Sequence, residues 1–274
     1  MTDKYAVIGN PIAHSKSPLI HAAFAKQTQQ ALRYEAILAP LDGFAATVQT
    51  LIEQGYKGVN VTVPFKFAAF ALANRHSDRA TAAGAANTLT FNAQGIVADN
   101  TDGAGIVRDI EHNLRHSIIG KRVLLIGAGG AAEGVLQPLL VAQPSALVIS
   151  NRSVDKAQRM VKKITDLSSH TLTHLQACTF EDLQGQSFDI VINATSAGLS
   201  DSDLAIPNSI FAKNCLAYDM MYGRETPFMQ QAKDNGAEVS DGLGMLVEQA
   251  AEAFTLWRGV RPETQAVMQD IRKL

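Results

Sequence analysis

The feature that most constrains this chain is a run of four apolar residues, Val123-Leu124-Leu125-Ile126, that opens directly into Gly127-Ala128-Gly129-Gly130-Ala131-Ala132. From Glu133 to Val141 the pattern turns helical. A short strand, a glycine turn and a helix in that order match the G-x-G-x-x-G/A arrangement. Gly127 permits a tight turn, Gly129 lets the backbone approach a pyrophosphate, and Ala132 lets helix and strand pack closely. The helix then points its free amides at the phosphates. A plain tight turn is the simpler reading of the glycines, but the flanking strand and helix argue against it. The segment therefore predicts a dinucleotide-binding α/β unit.

The rest of the chain repeats this alternation. Strands are expected at Tyr5–Ile8, Arg33–Leu38 and Gly58–Val63, with helices near Pro18–Gln29 and Phe44–Gln54 and another after Pro64. Asn87–Phe91 and Gly95–Ala98, separated by Asn-Ala-Gln-Gly, read as a hairpin closing this first series. A helix from Asp102 to about Leu114 leads into a second series, with strands at Arg122–Ile126, Leu147–Ser150, Phe188–Asn193, Leu216–Asp219 and Ala237–Val239. Such alternation predicts two open parallel-sheet α/β domains, the C-terminal one of Rossmann type. Two helical patterns after Leu243, split at Gly259-Val260-Arg261-Pro262, have no strand to follow. Pattern alone leaves open which domain they cover.

The residues after the second strand of the dinucleotide unit bear on which nucleotide is bound. An acidic residue about 20 positions past the glycines would hold the ribose 2′-hydroxyl of NAD. Here the strand ends in Asn151-Arg152-Ser153, with Lys156 a helical turn on. Arg152 can stack beside the adenine and pair with a 2′-phosphate, Ser153 can hydrogen-bond to it, and Lys156 adds a second cation. NADP is the expected cofactor, against the plainer reading of a solvated helix face.

Polar residues also gather where strands of the first series end. Ser15 and Ser17, in His14-Ser15-Lys16-Ser17-Pro18, offer hydroxyls beside a helix start and suit a small carboxylate or phosphate, although Ser17 is also an ordinary N-cap. Alternation puts Asn60 and Thr62 on one face of the third strand. Lys66 follows in the first turn of a helix expected to begin at Pro64, among Phe65, Phe67 and Ala68. There the helix dipole disfavours a cation by about 0.3–1 kcal/mol, a setting that suits acid–base use. Asn87 opens a strand. Asp102 starts a helix, either as its cap or as a carboxylate beside Lys66 at the domain junction.

Composition narrows the function classes. The 274 residues are 46% hydrophobic and 18% charged, the balance of a folded globular protein. Lys and Arg total 24 against 26 Asp and Glu, so a net charge of −2 provides no field for a polyanion, and neither nucleic acid nor membrane is an expected partner. Two cysteines, Cys178 and Cys215, sit among apolar neighbours and read as buried thiols of a cytoplasmic protein. The start MTDKYAVIGNP is too short in apolar residues for a signal peptide, and no segment approaches the roughly 18 apolar residues of a membrane helix. The pairs His112/His116 and His170/His174 have i,i+4 spacing, but without a HExxH acid or a third ligand no metal is expected.

Taken together, these residues resemble the shikimate dehydrogenase family. The resemblance is carried in order by Gly9-Asn10-Pro11 with His14-Ser15-Lys16-Ser17-Pro18, Asn60-Val61-Thr62-Val63-Pro64-Phe65-Lys66, Gly84-Ala85-Ala86-Asn87-Thr88, Asn100-Thr101-Asp102-Gly103, Gly127–Ala131, Asn151-Arg152-Ser153, Asn193-Ala194-Thr195-Ser196, Tyr218-Asp219-Met220-Met221-Tyr222 and Asp241-Gly242-Leu243-Gly244-Met245-Leu246. It implies NADPH-dependent, reversible reduction of 3-dehydroshikimate to shikimate. It also implies a substrate-binding domain of residues 1–101 plus 243–274 and a Rossmann NADP-binding domain of residues 102–242.

Residue by residue, the resemblance implies that Lys66 is the acid–base and Asp102 its partner. Ser15, Ser17 and Tyr222 would bind the carboxylate, and Thr62, Asn87 and Gln249 the ring hydroxyls, with Asn60 lining the site. Cofactor contacts would come from Gly127, Ala128, Gly129, Gly130, Ala131, Asn151, Arg152, Ser153, Lys156, Thr195, Met220 and Gly242, with Asp78 an additional contact. Lys156 stands where the family often has Arg, and a point charge makes no bidentate phosphate pair, which softens the preference for NADP. Quinate oxidation with relaxed NAD use is one alternative expectation, and a non-catalytic NADPH-sensing module another. The protein is expected to act on a small molecule as a monomer or homodimer.

Overall fold

The computed structural model describes residues 2–167, 173–195 and 203–274. The chain divides into two compact units, Met1–Gly105 with Leu246–Leu274, and Ile106–Met245, and the boundaries fall inside two helices.

The first unit holds strands β1 (Asp3–Gly9), β2 (Leu32–Leu38), β3 (Tyr56–Val61), β4 (Arg75–His76), β5 (Thr88–Asn92) and β6 (Gly95–Asp99), in the order β2-β1-β3-β5-β6-β4. Its helices are α1 (Ser17–Gln27), α2 (Phe44–Glu53), α3 (Lys66–Leu72) and α4 (Asp78–Ala83). β1 runs parallel to both β2 and β3, whereas β5 is antiparallel to β3 and β6. The antiparallel pairing of β5 with β6 follows from the short Ala93-Gln94 connection, because so short a loop joins only antiparallel strands. Ile8, Val48, Val59 and Leu89 form the heart of this core, each fully buried and each contributing about 1.5–3 kcal/mol. The chain pairs β2 on one side of β1 and then crosses to place β3 on the other. That reversal opens a crevice at the carboxyl ends of β1 and β3, where open α/β sheets hold ligands.

The helix from Asp102 is α5 (Asp102–Arg108), continued by a π-helical turn over Asp109–Asn113. The second unit then forms a parallel sheet from β7 (Arg122–Ile126), β8 (Ala146–Ser150), β9 (His174–Cys178), β10 (Phe188–Asn193), β11 (Phe211–Asp219) and β12 (Glu238–Ser240). Its order, β12-β11-β10-β7-β8-β9, is that of a doubly wound dinucleotide fold with the reversal between β7 and β10. Every residue of β8 is buried, and Val123 through Ile126 of β7 are at 0% exposure, as parallel strands covered on both faces require. The helices are α6 (Gly130–Val141), α7 (Val154–Leu167) and α8 (Pro227–Asp234).

The two final helices are α9 (Leu243–Arg258) and α10 (Gln265–Arg272), and from Leu246 onward they belong to the first unit. Periodicity missed β4, β9, α4 and α8. β9 is an edge strand with an exposed first residue, and β4 has only two residues. Among the described residues no helix is long and apolar enough to cross a membrane.

Candidate active site

Lys66 is the first residue of α3, so the helix starts there rather than at Pro64. Its Nζ donates to Asp102 Oδ2 at 2.5 Å, with the two side chains only 17% and 7% exposed. Asp102 heads α5, but the two contacts of its carboxylate are not those of a cap. Oδ2 takes Lys66, and Oδ1 accepts from Asn87 Nδ2 at 2.8 Å. The start of the helix is tied instead by Asn100, whose Oδ1 accepts from the Asp102 amide while its Nδ2 donates to Ala85 O.

Asn87 is the hub of the group. Its Nδ2 also reaches Thr101 Oγ1 at 2.9 Å and Gln249 Oε1 at 3.2 Å, and its Oδ1 accepts from the Thr101 amide and from Thr88 Oγ1. Gln249, on α9, is fixed from the other side by its Nε2, which donates to Leu246 O at 2.8 Å. Asn60 joins through Nδ2, which donates to Thr88 Oγ1 and Asn87 O. The first unit thus brings Lys66, Asp102, Asn87, Asn60 and Gln249 into one hydrogen-bonded group. Buried polar side chains cost free energy unless paired, and here they pair with one another.

Ser17 is the first residue of α1, and the N-cap residue Lys16 makes no side-chain cap bond. The Ser17 amide donates to Ser15 Oγ at 3.3 Å, and the Tyr34 hydroxyl of β2 donates to Asn60 Oδ1 at 2.7 Å. Thr62 is half-buried just after β3, with its methyl against Gly9. Tyr222 lies in the second unit after β11, and burial pushes its phenol above its ordinary pKa. Asp78 is an exposed residue in the first turn of α4 and belongs to the first unit, whereas the other expected cofactor residues belong to the second.

In the second unit, β7 ends at Gly127, whose φ of +114° favours glycine. A Cβ there would also press to 3.2 Å from the Ala194 backbone. A Cβ at Gly129 would meet nothing within 4 Å, so this backbone is open to close approach, and α6 begins at Gly130. Gly127 through Ala131 therefore form the cradle that a pyrophosphate needs. Asn151, Arg152, Ser153 and Lys156 follow β8, with Arg152, Ser153 and Lys156 exposed. No acid stands among 150–153, and these cations and hydroxyl fit a 2′-phosphate.

Thr195 follows β10 and is oriented by Asn193, whose Oδ1 accepts from the Thr195 amide and hydroxyl. Asn193 Nδ2 in turn donates to Asp219 Oδ2, which also accepts from Thr226 Oγ1 at 2.6 Å. Asp219 Oδ1 accepts from the Met221 amide, fixing the turn that carries Met220. Burial raises the Asp219 carboxyl pKa, and these hydrogen bonds oppose the rise. Gly242 packs backbone to backbone on Met220, where a Cβ would collide with Met220 O. Asn193, Asp219, Thr101 and Tyr34 were not singled out by sequence reasoning as site residues. For Asn193 and Asp219 the available signal was a polar residue at the end of an apolar strand.

Ser196 and His170 lie outside the described residues. His116 Nε2 contacts Glu238 at 3.1 Å, and among the described residues no group of three His, Cys, Asp or Glu could hold a metal.

A doubly wound unit with an open glycine cradle, joined in one chain to an α/β unit carrying a lysine–carboxylate pair, defines a dinucleotide-binding oxidoreductase. Family models match along the chain: the shikimate dehydrogenase substrate binding domain over residues 7–89, shikimate / quinate 5-dehydrogenase over 109–200, and the shikimate 5'-dehydrogenase C-terminal domain over 242–272. The shikimate dehydrogenase (NADP(+)) of Methylobacillus flagellatus is 60% identical over 98% of this chain and 99% of that protein. Among solved structures, the Ael1 enzyme from Pseudomonas putida is 49% identical with a TM-score of 0.92, covering 98% of each chain. Shikimate 5-dehydrogenase from Thermus thermophilus, solved with NADP(H) and shikimate, is 29% identical with a TM-score of 0.86, covering 99% of each chain. The chain belongs to the shikimate dehydrogenase family.

Proposed function

We propose that this protein catalyses the reversible, NADP(H)-dependent interconversion of 3-dehydroshikimate and shikimate, a step of aromatic amino acid biosynthesis by way of chorismate. The observation that carries this reading is the Lys66–Asp102–Asn87 group, which puts a proton donor, a carboxylate and an amide at one crevice. The first unit binds the substrate and the second the cofactor. NADPH, when bound, supplies the hydride to the carbonyl carbon.

As the carbonyl oxygen gains charge, the Lys66 ammonium hydrogen-bonds to it and gives up a proton, completing the alcohol. In the reverse direction the amine takes the proton of the hydroxyl. Asp102 orients Nζ and accepts from the neighbouring substrate hydroxyl. Asn87, Thr62 and Gln249 bind ring hydroxyls beside Asn60, and Ser15, Ser17 and Tyr222 hold the carboxylate. Gly127, Ala128, Gly129, Gly130 and Ala131 cradle the pyrophosphate, and Asn151, Arg152, Ser153 and Lys156 hold the adenine ribose phosphate. Thr195, Met220 and Gly242 line the nicotinamide end, with Asp78 a further contact. The protein works in the cytoplasm on a small molecule, as a monomer or homodimer.

Lysine rather than arginine at 156 also favours some use of NAD. The test is to add 3-dehydroshikimate to the purified protein with NADPH and identify the product. Shikimate formed in step with NADPH oxidation supports the reading, and no oxidation overturns it.

A further inference from the structure

Between Gly127 and Val141, the cradle and the helix that follows it, the sequence holds one charged residue, Glu133. It lies in the first turn of α6, about 4.5 Å along the axis from Gly130. The Glu133 amide makes the bond that closes this turn, to Gly129 O at 2.9 Å. The amides of Gly130, Ala131 and Ala132 come before it and have no partner within the helix, and the N-cap, Gly129, has no side chain to offer them. These are the donors that suit a pyrophosphate, and Glu133 brings a carboxylate beside them.

An acid in a first turn is ordinarily favourable, because it sits at the positive end of the helix dipole. A pyrophosphate uses the same end. It carries two negative charges in NAD and NADP alike, and an unpaired carboxylate within a helical turn would repel it. The residue that stabilises the helix by itself therefore opposes the ligand the helix serves.

The structure gives Glu133 a counter-charge from another element. Lys163 of α7, 30 positions along the chain, donates from Nζ to Glu133 Oε2 at 3.2 Å. The lysine and glutamate side chains are 35% and 19% exposed. Its neighbour Lys162 behaves differently, pairing with Asp166 one turn on in α7, where the two side chains are 76% and 62% exposed. That is an ordinary solvated pair, of little energetic weight. Lys163 instead leaves its own helix and reaches across to the head of the phosphate-binding one.

We propose that Lys163 is a positioning residue of the cofactor site, acting through Glu133: it holds the carboxylate toward α7 and cancels its charge beside the cradle, which leaves the head of α6 open to a dinucleotide pyrophosphate. The inference rests on the reading of Gly127–Ala131 as the pyrophosphate cradle. It gives Lys163 no contact with the cofactor. Lys163 differs in this from Arg152, whose partner is the 2′-phosphate that NAD lacks.

Lys163→Met keeps the aliphatic stem and removes the charge, and Glu133→Gln keeps the size of the acid. Wild type, both single variants and the double variant are titrated calorimetrically with NADP+ and with NAD+, without substrate, at low and at high salt. Lys163→Met is expected to weaken both dinucleotides by the same two- to fivefold or so, about the effect of one charge at a helix N-terminus. Glu133→Gln is expected to bind both at least as tightly as wild type, and the double variant to return to wild type. Added salt shrinks these differences, because the pair is partly exposed. Three results overturn the inference alone. One is an unchanged affinity in Lys163→Met. Another is a loss confined to NADP+, which makes Lys163 a contact of the 2′-phosphate. The third is a loss in Glu133→Gln as well, which makes the pair a scaffold for the turn. A wild type that binds neither dinucleotide overturns the reading of the cradle, and the inference with it.

Discussion

Asp102→Asn is the substitution that separates a working carboxylate from a helix start. The side chain keeps its size, but both of its present partners, Lys66 Nζ at 2.5 Å and Asn87 Nδ2 at 2.8 Å, are donors. An amide offers one acceptor oxygen and one NH2 group, so one of the two contacts becomes donor against donor. The contact to lysine is charge-assisted, and such hydrogen bonds are worth about 1.5–3 kcal/mol. With side-chain exposures of 17% and 7%, solvent screens the pair only weakly. If that energy acts in the transition state, kcat/KM for shikimate falls about 10- to 150-fold. The assay is the initial rate of NADP+ reduction with shikimate, read at the nicotinamide absorbance band, together with a thermal melt to show that the fold is intact. An Asp102→Asn protein with wild-type kcat/KM would reduce Asp102 to the first residue of α5 and refute the reasoning.

Lys66→Ala removes the proton donor, and kcat is expected to fall by about 10²–10⁴ while shikimate affinity, measured by calorimetric titration, changes little; wild-type kcat would contradict the assignment. Arg152→Ala is expected to raise the KM for NADP+ about tenfold or more and to leave that for NAD+ nearly unchanged, because the lost hydrogen bonds are charged ones to the 2′-phosphate. An equal effect on both cofactors would place Arg152 on an ordinary solvated face. Burial holds the His21 imidazole at a pKa of about 3, against the polar influence of Asn60. The folded value is below the unfolded one of about 6.5, so stability is lost as pH falls from about 6.5 toward 3, by about 2 kcal/mol at pH 5. Urea titrations of wild type and His21→Phe at pH 7 and pH 5 test this, and identical pH dependences would contradict it.

The parts of the fold written in local pattern were legible. Buried parallel strands such as Val123–Ile126 are nearly continuous apolar runs, and the glycines after them have a backbone reason that the sequence displays, as the φ of Gly127 shows. The hairpin between β5 and β6 was readable from its short loop. The edge strand β9 was not, because exposed residues such as His174 and Gln176 break the apolar pattern.

At the site, residue types announced the chemistry of Lys66 and Asp102, but their proximity depends on how far the turn after β3 and the start of α5 converge, which no spacing encodes. The sequence also left Ser17 and Asp102 as equal candidates for caps. The structure decides otherwise: Ser17 is the first helical residue of α1 rather than its cap, and Lys66 and Asn87 take the carboxylate of Asp102. Asn193 and Asp219 stayed hidden for the same reason, since their importance lies in the loops they tie together rather than in their own position along a strand.

The most direct measurement is kcat/KM of the purified protein for shikimate and for quinate, each with NADP+ and with NAD+, followed at the nicotinamide absorbance band. The account predicts that shikimate with NADP+ exceeds every other pairing. Turnover mainly with quinate and NAD+ would contradict the reading of Arg152 and the assignment of shikimate as the substrate, and no turnover in any pairing would leave a module that binds the dinucleotide without using it.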